Sequence, residues 1–418
     1  MVYVINKEGQ ALMPTERFGK VRRLLKSGLA HIVCRIPFTI QLDYETTDFV
    51  QPISLGVDAG SKHIGISATT SEKELYAADV ELRNDIVDKL SARREQRRTR
   101  RNRLRYRKIR FNNRVSSKHK GWLAPSVENK IQTHLTIVEK IHKFLPITNI
   151  VVETASFDIQ KIKNPSVSSE EYQQGEQLGF FNVREYVLFR DNHTCQHCNG
   201  KSKDKVLNVH HLESRKVGGN APNNLVTLCE TCHNKYHKGE IKLALKRGQS
   251  FRDAAFMGIA RWTTYERLKN NYPNVSMTFG YITKNTRIAN ELPKEHYVDA
   301  RCISGNPKAK PLGHYFCQKK VRCHNRQIHK ANFLKGGRKK LNQAPFLVKG
   351  YRLFDLVEYQ NDLYYIFGRR SSGRFDIRKL DGTKVNKGSI NCKYIRLIDT
   401  RKTIITEKRR QGAKHPIS

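Results

Sequence analysis

The spacing of apolar positions changes several times along this chain, and each change predicts an element. VYVI alternates as a strand does. Phe18, Val21, Leu24 and Leu25 then share one face of a basic helix, with Thr15 expected as its N-cap and Gly28 near its end. HIVC and FTIQLDY predict two more strands, completing a small α/β unit over residues 1–50 with Lys20, Arg22, Arg23 and Lys26 exposed. Residues 53–82, ISLGVDAGSKHIGISATTSEKELYAADVEL, predict strand, tight turn, strand, turn, strand, and Gly60 and Gly65 are expected to permit the sharp turn. Ser126 is expected to cap a helix whose stripe is Ile131, Leu135, Val138, Ile141 and Leu145, with Pro146 stopping it. ITNIVVETASFD follows as a short buried strand, and polar residues 158–181 as a linker.

The second half is less regular. VREYVLFRD predicts a helix, VHHLE a short strand, and NNLVTLC a lead into a helix at the second CxxC pair. Residues 238–262 are basic and weakly helical, NVSMTFGYIT predicts a strand, and His296 and Asp299 fall on one helix face. Over 346–398, alternation with turns at Asn361-Asp362 and Asp381-Gly382 predicts a small β-barrel or sheet. The terminal TEKRRQGAKHPIS is expected to fray.

Charge sharpens this picture. Lys and Arg total 78 against 38 Asp and Glu among 418 residues, a formal charge of +40. A field of that size attracts polyanions and releases their counterions. The charge is concentrated in 83–114, where Glu95 is the one acid between Arg93 and Arg114. No Pro or Gly interrupts this stretch, so a helix is permitted, but like charges four apart repel, so a polyanion has to complete it. Arg suits that task because its planar fork binds two phosphate oxygens. The expected nucleic-acid-binding residues are Arg93, Arg94, Arg97, Arg98, Arg100, Arg101, Arg103, Arg105, Arg107, Arg110 and Arg114. A disordered basic tail is the alternative, and the position between two predicted folded units argues against it. The odd total of nine cysteines, four of them in CxxC pairs, argues against a disulfide framework and for a reducing compartment. The N-terminus is unlike a signal peptide and no apolar run is long enough to span a membrane, so the expected location is the cytoplasm or nucleoid and not the exterior.

Two candidate sites emerge. Asp58 and Glu153 each end an apolar strand, and His296 and Asp299 could join them. Three carboxylates can hold two Mg²⁺ ions about 3.5–4 Å apart for phosphodiester hydrolysis, with His296 moving a proton. A cap or turn residue is the ordinary explanation of a strand-end carboxylate, and sequence spacing alone does not assemble this set. The second site lies within Asp191–His237. Cys195, Cys198, Cys229 and Cys232 suit one tetrahedral Zn²⁺. The gap between the pairs is too long for a plain zinc ribbon and contains His210 and His211. His210 is expected as a ligand of a second metal and His211 as the base. Asn224 and His233 would complete that metal's shell, with His237 as an alternative ligand. A zinc-only binding module would leave these residues unemployed.

These motifs, in this order, resemble the IscB family, transposon-encoded RNA-guided DNA endonucleases related to type II CRISPR effectors. GVDAGSKHIG, VVETASF and HYVDA resemble the three segments of a split RuvC nuclease, and CxxC…HH…NNL…CxxCH resembles an HNH nuclease. VYVINKEGQALMP resembles the family's N-terminal PLMP domain, although Ala11 replaces the first Pro of its motif. The resemblance implies a multidomain α/β protein: an RNase H-like (RuvC) mixed sheet with helices, an inserted ββα-metal, zinc-bearing HNH domain, an Arg-rich bridge helix and a small C-terminal β domain. It implies a PLMP-like domain over 1–52, RuvC segments over 53–82, 115–165 and 246–310, and the bridge helix over 83–114. A linker would span 166–181, HNH 182–245, and a basic segment with the β domain 311–418.

It further implies a monomeric ribonucleoprotein with a guide (omega) RNA, acting on double-stranded DNA beside a short adjacent motif that the β domain reads. HNH would cut the guide-paired strand and RuvC the displaced strand, with two Mg²⁺ at Asp58, Glu153 and Asp299, one in HNH, and structural Zn²⁺. His296 and His211 carry over as catalytic residues. Two other readings stay open: a non-catalytic zinc-containing RNA-binding protein, and a protein-guided HNH endonuclease of the homing type.

Overall fold

The structure is a computed structural model that describes residues 1–94, 121–154, 180, 182–214, 219–246, 248, 252–322, 329–331, 339–341 and 345–411. It divides into two units, one of Met1–Ala155 with Met257–Ser418, the other of Ser156–Phe256. The expected bridge helix is described only as far as a helix over 86–94, with Arg93 and Arg94 exposed. Arg97, Arg98, Arg100, Arg101, Arg103, Arg105, Arg107, Arg110 and Arg114 lie outside the described residues.

The first unit opens with β1 (Val2–Ile5), β2 (Ala11–Thr15), α1 (Phe18–Lys26), β3 (Ala30–Cys34) and β4 (Thr39–Leu42), in a sheet ordered β2-β1-β4-β3. Val21 buries one face of α1 among Val2, Val4, Ala30, Ile40 and Leu42. Thr15 does not cap α1: it ends β2, Arg17 holds the cap position, and the Thr15 hydroxyl accepts from the Arg17 N–H at 3.2 Å. Pro14 is tolerated in β2 because that strand is an edge.

Next come β5 (Ser54–Ala59), β6 (His63–Thr69) and β7 (Glu74–Glu81), an antiparallel run buried almost throughout. After the helix over 86–94, which we number α2, comes α3 (Pro125–His142). Pro125 starts α3 in place of the expected Ser126 cap, since its fixed φ suits the first helical turn and it has no N–H to leave unpaired. The α3 stripe Ile131, Ile137, Val138 and Ile141 is buried, and β8 (Asn149–Thr154) follows.

The second unit, described by itself, holds α4 (Val183–Arg190), β9 (Leu207–His211), β10 (Leu225–Cys229) and α5 (Glu230–Lys238). Asn182 caps α4 by accepting from the Glu185 N–H. β9 and β10 pair antiparallel, with His211 opposite Leu225 and His210 opposite Val226.

Back in the first unit, α6 (Arg252–Asn271) is a full helix where the sequence predicts only weak helicity through 262, followed by β11 (Val275–Phe279), α7 (Gly280–Ala289), α8 (His296–Ile303) and β12 (His314–Lys320). Short β13 (His329–Ala331) and β14 (Lys339–Leu341) pair with each other. β15 (Leu356–Tyr359), β16 (Asp362–Arg369), β17 (Arg374–Arg378), β18 (Ile390–Asn391) and β19 (Arg396–Asp399) form an antiparallel sheet over a core of Val348, Val357, Ile366, Phe375 and Ile377.

β20 (Ile404–Arg410) contains the first five residues of the segment expected to fray. It pairs with β12 at the edge of the central mixed sheet, ordered β11-β8-β5-β6-β7-β12-β20. Ile404 and Ile405 anchor it while its basic residues alternate outward, as suits an edge strand. Two strands from 311–418 thus belong to the central sheet rather than to the C-terminal one.

Candidate functional site

The central sheet sets up a carboxylate centre through register. Parallel β5 and β8 align Val57 with Val152, so Asp58 and Glu153 follow at the same level on neighbouring strands. Across β5, Gly65 stands opposite Asp58. Gly65 is not a turn residue, as the sequence suggested, but an inner position of β6. A Cβ there would lie 1.9 Å from the His296 carbonyl oxygen, and one on Gly56 would lie 1.9 Å from that of Ala300. The two glycines therefore let the backbone of α8 lie directly on the sheet. That seat brings His296 Nδ1 to 2.9 Å from Asp58 Oδ2.

Two arginines complete the centre. Arg261, only 8% exposed, places Nη1 at 2.8 Å from Glu153 Oε1 and Nη2 at 3.7 Å from Asp58 Oδ1. Its Nε donates to the Ala59 carbonyl at 2.8 Å. Arg287 on α7 pairs with Asp299 at 2.8 Å. Behind His296, His63 stacks at 5.2 Å between ring centroids and bonds buried Asp79 at 3.0 Å.

Burial and the neighbouring Asp58 charge push the Glu153 carboxyl upward, against the pull of Arg261. Asp299 is raised by the same two causes. His296 is raised to about 9, chiefly by its bond to Asp58, so it is charged at neutral pH in this arrangement. Clustered carboxylate oxygens of this kind are the donors a hard divalent cation takes.

Four candidate residues, Asp58, Glu153, His296 and Asp299, thus gather at one end of the sheet, and each carboxylate is held by a side-chain cation. Arg261 and Arg287 were not legible as site residues. One signal was present for Arg261: Met257, Ala260, Thr264 and Leu268 form a buried stripe at helical spacing, and Arg261 sits on it. A charge on an apolar stripe requires a partner.

Among the described residues of the insert, two groups bring their donor atoms within 4.8 Å of one another: Cys195, Cys198, Cys229 and Cys232, and His210, His233 and His237. The four sulfurs are the donor set of a closed zinc site. Cys198 and Cys229 approach to 3.8 Å.

In the histidine group, the Nε2 atoms of His233 and His237 face each other at 3.2 Å. His210 Nε2 is buried with no hydrogen-bond partner among the described residues, and burial followed by the neighbouring histidines lowers this ring to about 4. An orphaned imidazole nitrogen facing two more fits a single metal ion. His211, one residue on and pointing to the other face of β9, bonds Asn220 Oδ1 through Nε2 at 3.1 Å.

Asn224, expected as a ligand, holds backbone in this structure. It is fully buried, its Nδ2 donates to the carbonyls of Glu213 and Gly219, and its Oδ1 accepts from the Glu213 N–H. It ties Glu213 to Gly219.

Comparison with known proteins gives two family matches. A family model described as RRXRR protein matches residues 2–175, and one described as HNH endonuclease matches residues 195–239. Anaredoxin from Nostoc sp. (strain PCC 7120) is 51% identical over 41 residues, 10% of this chain and 54% of that protein. Two solved structures of Streptococcus thermophilus Cas9, in complex with the GGAA PAM and with AGGA PAM, align at 14% identity with TM-scores of 0.33 and 0.36. Each alignment covers 53% of this chain and 31% of the Cas9 chain. No helix among the described residues is long and apolar enough to cross a membrane.

Proposed function

We propose that this chain, an IscB-like relative of Cas9 by its RRXRR and HNH matches, is an RNA-guided DNA endonuclease with two independent cutting centres. The observation that carries the proposal is the pairing of two complete constellations. One is the carboxylate centre at one end of the seven-stranded mixed sheet. The other is the histidine centre inside the segment matched as HNH endonuclease. A binding module has no use for either.

In the histidine centre, His210, His233 and His237 are the residues suited to hold one divalent ion of the kind imidazole favours, and Asp58, Glu153 and Asp299 suit two Mg²⁺ in the other. There magnesium would supply charge compensation for the scissile phosphate and an acidified water. His211 takes the proton of the attacking water, whose oxygen bonds to phosphorus as the bond to the 3′ oxygen breaks. Asn220 fixes the His211 ring for that transfer. The product strand ends are a 5′ phosphate and a 3′ hydroxyl. The cysteines hold Zn²⁺ and anchor α5, which carries two of the three histidines. The histidine centre is assigned to the guide-paired strand and the carboxylate centre to the displaced strand.

The +40 charge supports partners of high negative charge, guide RNA and duplex DNA together. We assign the Arg-rich stretch to the RNA and heteroduplex, and the sheet β15–β19 to a short motif beside the target. Sequence is then read by base pairing. RNA extracted from the purified protein should be a defined species, and a plasmid carrying its match should be cut. Ribonuclease treatment should abolish that cut. Sequence-specific cutting that survives ribonuclease would make this a protein-guided HNH enzyme instead. A metal-loaded, RNA-bearing protein that leaves matched DNA intact would make it a binding protein.

A further inference from the structure

Arg261 holds the two strand-end carboxylates with one guanidinium. It contacts Glu153 Oε1 at 2.8 Å and Asp58 Oδ1 at 3.7 Å, while its Nε is tethered to the Ala59 carbonyl at 2.8 Å. All three side chains are nearly buried, with exposures of 9% for Arg261, 9% for Glu153 and 11% for Asp58. An arginine cannot shed its proton to make way for another cation, so any change in its charge balance requires movement. A divalent ion on the same oxygens would stand within a few ångströms of the guanidinium, where repulsion is screened far less than in water. Asp299 has its own cation in Arg287, and Asp58 also holds His296 at 2.9 Å, so among the described residues Arg261 is the cation that bridges Asp58 and Glu153.

We propose that Arg261 is a resident counter-cation of the carboxylate centre. It keeps Asp58 and Glu153 assembled without divalent ions, and it withdraws from them when the pair takes an ion. Metal loading is therefore an exchange of one cation for another, and its affinity is set lower than the carboxylates alone would give. This is a positioning role, and it rests on the assignment of Asp58, Glu153 and Asp299 as the metal-holding set.

The test is binding rather than cleavage. Mn²⁺ is titrated into the full-length protein and followed by electron paramagnetic resonance, with the ions missing from E153Q assigned to this centre. R261Q is expected to tighten that class by about tenfold or more, and R261K, which keeps a charge without the fork, by less. Metal-free R261Q should melt below wild type, and saturating Mn²⁺ should close the gap. Arginine with a purely structural role would leave that deficit in place. Folded R261Q or R261K that binds Mn²⁺ no more tightly than wild type overturns the proposal alone. An E153Q protein that has lost no Mn²⁺ overturns the assignment of the centre as well.

Discussion

Replacing Gly65 with Ala tests how the carboxylate centre is built. The new Cβ would stand 1.9 Å from the His296 carbonyl oxygen and 2.4 Å from its carbon. An ordinary contact begins near 3.4 Å, so the start of α8 has to retreat by about 1.5 Å (3.4 minus 1.9). Gly65 is not in the left-handed region, so the substitution tests space and not backbone conformation. Overpacking of this kind costs about 1–3 kcal/mol, which the extensive core of the first unit can absorb, with a melting point lowered by a few degrees. The chemistry is less tolerant. The 2.9 Å contact between His296 and Asp58 would open beyond hydrogen-bond range, and Asp299 on the same helix would move with it. Misplacement of about 1 Å costs on the order of a hundredfold in rate. The assay is cleavage of a matched duplex with each strand labelled separately, under single turnover. G65A should cut the displaced strand about a hundredfold more slowly and the guide-paired strand at the wild-type rate. Wild-type cutting of the displaced strand by folded G65A would refute the seat of α8 on β6.

Three further outcomes follow from other contacts. Cys229→Ser should lose one equivalent of Zn²⁺ by atomic absorption and make residues 195–239 protease-sensitive, while the core of the first unit stays protected; retained zinc would remove the cysteine cluster from the account. Asn220→Ala should slow cutting of the guide-paired strand by about tenfold and leave the other strand alone, because it releases the His211 ring without removing it. His134 is buried, and burial lowers it to about 4 from an unfolded value near 6.5, so the unfolded chain takes up its proton first as pH falls. Its contribution to stability, about 3 kcal/mol, is present above pH ~6.5 and lost between about 6.5 and 4. Urea titrations over that range should show a shallower acid loss in H134Q than in wild type, and parallel curves would contradict the buried neutral ring.

Much of the carboxylate centre was legible because strand-end acids follow apolar runs, and ISLGVD and NIVVE both have that form. What the sequence could not supply was register. The neighbouring levels of Asp58 and Glu153 depend on a β5–β8 pairing across almost a hundred residues, and the approach of His296 depends on two glycines whose value appears only when a helix lies over them. Gly65 was mistaken for a turn residue for that reason. The caps at Thr15 and Ser126 failed because propensity named a good capping type two positions from the residue that holds the cap. β20 looked like a frayed basic tail because its pairing with β12 is distant in sequence and its buried residues are few. In the insert, the metal-ligand spacing carried the cysteines and histidines directly. The bonds of Asn224 to Glu213 and Gly219 were not legible, because a buried amide holding backbone has the same sequence signature as one offered to a metal.

The central claim is that two centres in one chain each cut one strand under RNA guidance. It is tested most directly by strand-resolved cleavage of a matched supercoiled plasmid by the RNA-bearing protein and its Asp58→Ala and His211→Ala variants. The wild type should linearise the plasmid. D58A should nick only the guide-paired strand, H211A only the displaced strand, and the double variant should cut neither. Linear product from either single variant, or loss of both cuts in each, would contradict the assignment of one strand to each centre.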